Sequence, residues 1–283
     1  MSFRLLTRAN PCVIAFALAL IVGLVAPQQV HASACSNDGS GFDAWLAGFK
    51  QRAAKQGVSA ATMSQALAGV SYDSGVIRLD RGQKSFKLTF EEFYRRRVSS
   101  SLISRGEKLM KQHAALFSRI EQTFGVPKEV ITAIWGLETG YGSDKGGNRP
   151  ILRSLATLAS DCRRAAFFEN ELLNALRIVQ RGDKTIGQLI GGWAGEIGPM
   201  QFLPSSYVKF AVDFDGDGRR DLYNSTPDML ASTANFLKVS GWQRGQPWGP
   251  GTANHAIIRE WNKAEVYVRT ISSMASRMAG RPE

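Results

Sequence analysis

Between Pro127 and Gly142 the chain is committed to a helix whose apolar face ends in a carboxylate, which limits both how it folds and what it can do. Val130, Ile131, Ile134, Trp135 and Glu138 fall at the i, i+3, i+4 spacing of one helix face. Pro127 suits the first helical position and Gly140 reads as the stop. A face of this kind must pack against other elements, so Glu138 is carried inward with it. The carboxylate also sits in the last turn, beside the negative end of the helix dipole. Burial against Trp135 and that dipole both disfavour the ionised form, so the sequence predicts a raised pKa. Such a group suits proton donation to a glycosidic oxygen near neutral pH. The plainer alternative is a glutamate that only solvates a helix end.

Helical spacing recurs along the rest of the chain. Phe42, Trp45, Leu46 and Phe49 mark one amphipathic helix, and Thr89 with Glu92 forms a capping box ahead of Phe93. Leu109, Leu116, Ile120 and Phe124 continue a helical face, with His113 on it, up to the Gly125-Val126-Pro127 turn. Phe168, Leu172, Leu176 and Val179 lie on a helix ended by Gly182 and Asp183. Tyr267, Ile271, Met274 and Met278 form a last amphipathic helix stopped by Gly280. Glycine-rich stretches at 140–147 and 191–195 interrupt this series, with neither an internal repeat nor a flexible linker. The arginine run 95–97 reads as a solvated helix face, and His113 and His255 as surface or packing histidines.

Arg4 and Arg8, the apolar run from Cys12 to Val25 and the small residues Ala32-Ser33-Ala34 have the layout of a secretory signal, cleaved after Ala34. The run is too short for a comfortable spanning helix. A periplasmic, soluble product is expected, with lipidation at Cys35 as the weaker alternative because Ala32 stands where a lipobox carries a larger aliphatic residue. Export would leave Cys35 and Cys162, which oxidising conditions allow to pair but which spacing alone does not join. Lys and Arg number 35 against 24 Asp and Glu, a net charge of +11. An exported basic protein fits an anionic polymer or surface, and cell-wall glycan with its peptide carboxylates fits better than nucleic acid, for which there is no motif.

Asp213-Phe-Asp215-Gly-Asp217-Gly-Arg219-Arg-Asp221 matches the start of an EF-hand calcium loop, with Gly218 at the sharp turn and Arg219 ligating through its carbonyl. Asn224 stands where the closing bidentate glutamate belongs, so Asp228 becomes the candidate closing carboxylate of a loop spanning 213–228. Calcium is favoured over an unliganded turn because clustered carboxylates repel one another without a cation. Its role would be structural and its binding weak. No dinucleotide loop, nucleophile elbow or Ser/His arrangement is present.

Taken in order, Gly136-Leu-Glu138-Thr, Arg163-Arg164-Ala-Ala-Phe167-Phe168, Gly198-x-x-Gln201-Phe202-x-Pro-Ser-Ser-Tyr207, the acidic loop and Trp261-Asn262 to Tyr267 resemble the MltB-type lytic murein transglycosylases over essentially the whole exported chain. The resemblance implies a mainly α, lysozyme-like (α+β) fold: an N-terminal helical lobe (35–125) packed against a catalytic domain (126–283) that contains the calcium loop. It implies cleavage of the MurNAc-GlcNAc bond without water, giving 1,6-anhydro ends. Glu138 would act as acid and then base, with no cofactor needed for chemistry. Gln201 and Phe202 would line the cleft, Arg163, Arg164 and Phe167 would hold glycan or its stem peptide, and Asn262 and Tyr267 would close the site. A monomer, with peripheral membrane association left open, is expected. Hydrolysis would need a second carboxylate; Asp144 and Asp161 are near in sequence, with loop solvation as their default explanation. The alternatives are a hydrolytic muramidase and a non-catalytic, calcium-dependent wall-binding protein. Three positions depart from the family's habit: Glu196 replaces a small residue, Gly192 a serine and Phe236 a tyrosine.

Overall fold

Thirteen α-helices, two short strands and one 3-10 turn make up the described residues of this computed structural model, 35–83 and 88–281. The expected export signal, 1–34, lies outside them, and no helix among the described residues is long and apolar enough to cross a membrane. The helices are α1 (Phe42–Lys55), α2 (Ala60–Ala66), α3 (Ser74–Arg81), α4 (Phe90–Arg97), α5 (Ser100–Gln112), α6 (Ala114–Phe124), α7 (Lys128–Thr139), α8 (Ile151–Ser160), α9 (Ala165–Gln180), α10 (Pro204–Phe210), α11 (Thr226–Val239), α12 (Ala253–Trp261) and α13 (Glu265–Met278). Strands β1 (Arg149–Pro150) and β2 (Ile190–Gly191) pair antiparallel, Arg149 opposite Gly191.

The helix that carries Glu138 is more deeply set than its spacing predicts. Every residue of α7 from Val130 to Leu137 is buried, because α5, α6, α11 and α13 pack around it. A helix apolar on all sides belongs in the core, and α7 provides that centre. Pro127 is its N-cap rather than its first helical residue, and Gly140 ends it in the left-handed conformation, φ 55°. The expected single face around His113 is instead two helices: His113 closes α5 and opens α6. The Thr89–Glu92 capping box forms as read.

The first three helices lie on α8 and α9, whereas α4, α5 and α6 pack with α7, α11 and α13. The described residues fall within one contact unit. Buried Asp80 at the end of α3 accepts from both Arg163 and Arg164, and Arg52 of α1 makes two bonds to Glu169 of α9 at 2.7 and 2.8 Å. A Cys35–Cys162 disulfide joins the start of the described chain to the α8–α9 turn, which occupies the sulfur that lipidation of Cys35 would need.

The β1–β2 pair holds the glycine-rich stretch after α7 beside the one that starts at Gly191. From there the chain turns tightly, with Ile197 and Phe202 exchanging backbone hydrogen bonds of 2.8 and 3.0 Å. These connections place three loops around the exposed end of α7.

Candidate active site

Two cavities, of about 390 and 280 Å3, meet at the end of α7, and Glu138, Glu196 and Gln201 line both. The larger continues along Phe202, Phe236, Trp261 and Asn262, and the smaller along Asp144, Arg149 and Trp193. Glu138 thus stands midway along an open cleft. An indole holds it there: Trp261 Nε1 donates to Glu138 Oε1 at 2.9 Å. Trp261 is fixed in turn by edge-on rings, Phe202 at 5.2 Å and Phe236 at 5.0 Å between centroids.

Burial raises the pKa of Glu138, and the nearby Glu196 charge adds to that; the Trp261 N–H, the Tyr267 hydroxyl and the Arg97 charge act the other way. Arg97, read from sequence as part of a solvated run, donates to the Leu137 carbonyl at the end of α7. It supplies the cation that a helix C-terminus favours. The buried Tyr267 hydroxyl faces Glu138, and burial together with the charge and hydrogen bonding of that carboxyl pushes the tyrosine pKa well up. Burial likewise raises the pKa of Glu196.

Gln201 reaches both cavities from a backbone at φ 55°, unusual for a residue with a Cβ, and its amide donates to the Gly198 carbonyl at 2.8 Å. Strained backbone of this kind concentrates at functional sites. Phe202 is 2% exposed, so its main contact is with the ring of Trp261. Asn262 lines the larger cavity while its Oδ1 accepts from Ala264 N at 3.0 Å.

Arg163, Arg164 and Phe167 line neither cavity. Both arginines are drawn to Asp80, whose buried carboxylate needs compensating charge, and Phe167 is exposed against Phe168. Arg164 still reaches the cleft electrostatically, lowering the pKa of Glu196 against burial. Asp161 is buried and paired with Arg81, away from the cleft. Asp144 lines the smaller cavity and accepts from Gly146 N at 2.9 Å.

In the acidic loop, Asp213, Asp215 and Asp217 each offer a carboxylate oxygen within 4.8 Å of the others, a donor set that suits a hard cation. Arg219 follows, its N–H donating to Asp217 at 2.8 Å. Asp221 and Asp228 lie outside that cluster. Asp221 is paired with Lys184, and Asp228 is fully buried beneath the loop, accepting from Phe214 N at 2.7 Å and Asp221 N at 2.8 Å. Asp228 shapes the loop from below because its oxygens are taken up by backbone N–H groups.

The family described as the transglycosylase SLT domain matches residues 41–252. Membrane-bound lytic murein transglycosylase B of Escherichia coli is 38% identical over 154 residues, which cover 54% of this chain and 42% of that protein. SltB3 of Pseudomonas aeruginosa, solved in complex with NAG-anhNAM-pentapeptide, is 32% identical with a TM-score of 0.78, over 85% of this chain and 80% of that one. The fold is shared as well by Slt35 of Escherichia coli, solved in complex with calcium: 24% identity, TM-score 0.73, 90% of this chain and 98% of that one.

Proposed function

The chain belongs to the transglycosylase SLT domain family, and from that premise we propose that it is an exported lytic transglycosylase cutting the MurNAc-GlcNAc bond of peptidoglycan. The observation that carries this reading is Glu138: one carboxyl, its pKa raised by burial, aimed into the middle of an open cleft by an indole N–H.

Protonated Glu138 gives its proton to the glycosidic oxygen as the C1–O4 bond breaks. As carboxylate it then takes the proton of the muramic C6 hydroxyl while O6 bonds to C1, which closes a 1,6-anhydro ring and returns the acid to its starting form. No water is consumed. Trp261 keeps the carboxyl in place through both proton transfers, and Tyr267, with its hydroxyl facing Glu138, is poised to stabilise the ionised stage. Gln201 and Asn262 present amide groups to sugar on the two sides of the bond. The excess of Lys and Arg, which persists after loss of Arg4 and Arg8 with the signal, draws the enzyme to the anionic wall.

Asp213, Asp215 and Asp217 would hold a calcium ion. The ion would neutralise their mutual repulsion and stiffen the loop, taking no part in bond cleavage.

Incubating the protein and its Glu138→Gln variant with sacculi tests the reading. Anhydro-muropeptides from the wild type, reduced about 10²- to 10⁴-fold in the variant, are expected. Reducing-end products would make it a hydrolase, for which Glu196 offers the second carboxyl. Murein bound but never cut would make it a wall-binding protein.

A further inference from the structure

Glu196 and Gly192 meet in space. The turn they share is closed by its own backbone, with Gly192 N on the Glu196 carbonyl at 2.9 Å. The Glu196 side chain folds back over that turn, Oε2 accepting from Ala194 N at 2.9 Å. A Cβ at position 192 would lie 2.0 Å from that Oε2 and 2.8 Å from the carboxyl carbon. The carboxyl therefore occupies space that a side chain at 192 would need, so a Cβ there would displace it. Glu196 lines both cavities beside Glu138, and Gly192 lines the smaller.

We propose that Glu196, seated in the space left by Gly192, is a positioning residue for Glu138: a second carboxyl whose charge sets the upper pH limit at which Glu138 still carries its proton. The proposal rests on Glu138 being the acid of the lytic reaction. Glu138 is faced by Trp261, by Tyr267 of α13, by Arg97 of α4 and by Glu196; Glu196 is faced by Arg164 at the start of α9. The remaining charged groups of the two cavities are Asp144, Arg149 and Glu260. Neighbouring carboxyls resist losing both protons, so the ionised Glu196 favours protonated Glu138. The direction agrees with the contribution of Glu196 to Glu138.

The test is a carboxyl ¹³C titration of glutamate-labelled protein, with the Glu138 resonance assigned by its loss in Glu138→Gln, beside a pH profile of muropeptide release. Glu196→Gln keeps the volume and the acceptor for Ala194 N while removing the charge. Its Glu138 midpoint should fall, and the alkaline arm of the profile should move to lower pH with it. Gly192→Ala, which displaces the carboxyl with a methyl group, should move both in the same direction, and should add nothing in a Glu196→Ala background. A midpoint unchanged in a folded Glu196→Gln protein, or a profile merely lowered in height, overturns the proposal. The titration needs no substrate. Failure of the wild type to release muropeptides would therefore count against the lytic reading alone, with the carboxyl coupling still decided.

Discussion

At the residue scale, Tyr267 carries a buried hydroxyl that faces Glu138, the proposed acid. Removing a buried hydroxyl that interacts with a carboxyl costs about 0.5–1.5 kcal/mol. Tyr267→Phe is therefore expected to melt only slightly below the wild type by calorimetry. The hydroxyl favours the ionised form of Glu138, so its loss should raise that pKa further and carry the alkaline arm of activity to higher pH, opposite to Glu196→Gln. An unshifted profile, or a melting temperature several degrees lower, would assign Tyr267 to packing instead. Glu138 was legible in the sequence because helical spacing aligns it with apolar residues on its own element. Trp261 was not legible as its partner, since 123 residues separate them and no local pattern records that meeting. The arginine run 95–97 is exposed as read, but only the fold shows that Arg97 also donates to the carbonyl end of α7. Glu196 and Gly192 each stood out alone, but only the fold shows that one makes room for the other.

At the element scale, the acidic loop separates into a cluster of three aspartates above and Asp228 below. Calcium should raise the melting temperature of the wild type by a few degrees, on the order of 1–3 kcal/mol for millimolar calcium at a weak site. Asp213→Asn with Asp215→Asn should abolish that rise, and a chelator should reverse it. A melting temperature indifferent to calcium would leave the loop an ordinary acidic turn. The residue alternation announced this loop; that Lys184 pairs with Asp221 and that backbone N–H groups converge on Asp228 are properties of the fold. Helices with strong punctuation were equally readable: the capping box before α4 and the glycine after α7 stand where expected. The α5–α6 break at His113 was hidden because neither glycine nor proline marks it, and the complete burial of α7 arises from four neighbouring helices.

For the whole molecule, the N-terminal segment is fastened to α9 and the turn before it by the Asp80 arginine cluster, the Arg52–Glu169 pair and the Cys35–Cys162 bond. The disulfide closes a sequence separation of 127 residues, so it restricts the unfolded chain strongly. Replacing both cysteines by serine should cost about 2–5 kcal/mol, read as a lower denaturation midpoint; equal midpoints would mean the bond is dispensable. Composition could offer that pairing only as one fate among three, because whether two cysteines meet is a property of the finished fold. The mainly helical, lysozyme-like architecture was legible from the ordered motifs, which tie distant segments to one family. The central claim is that one glutamate in this cleft cuts murein without water. Mass spectrometry of soluble products from sacculi treated with wild type and Glu138→Gln tests it most directly. Anhydro-MurNAc ends from the wild type, and next to none from a folded variant, are the expected result. Reducing ends from the wild type, or undiminished cleavage by the variant, would contradict it.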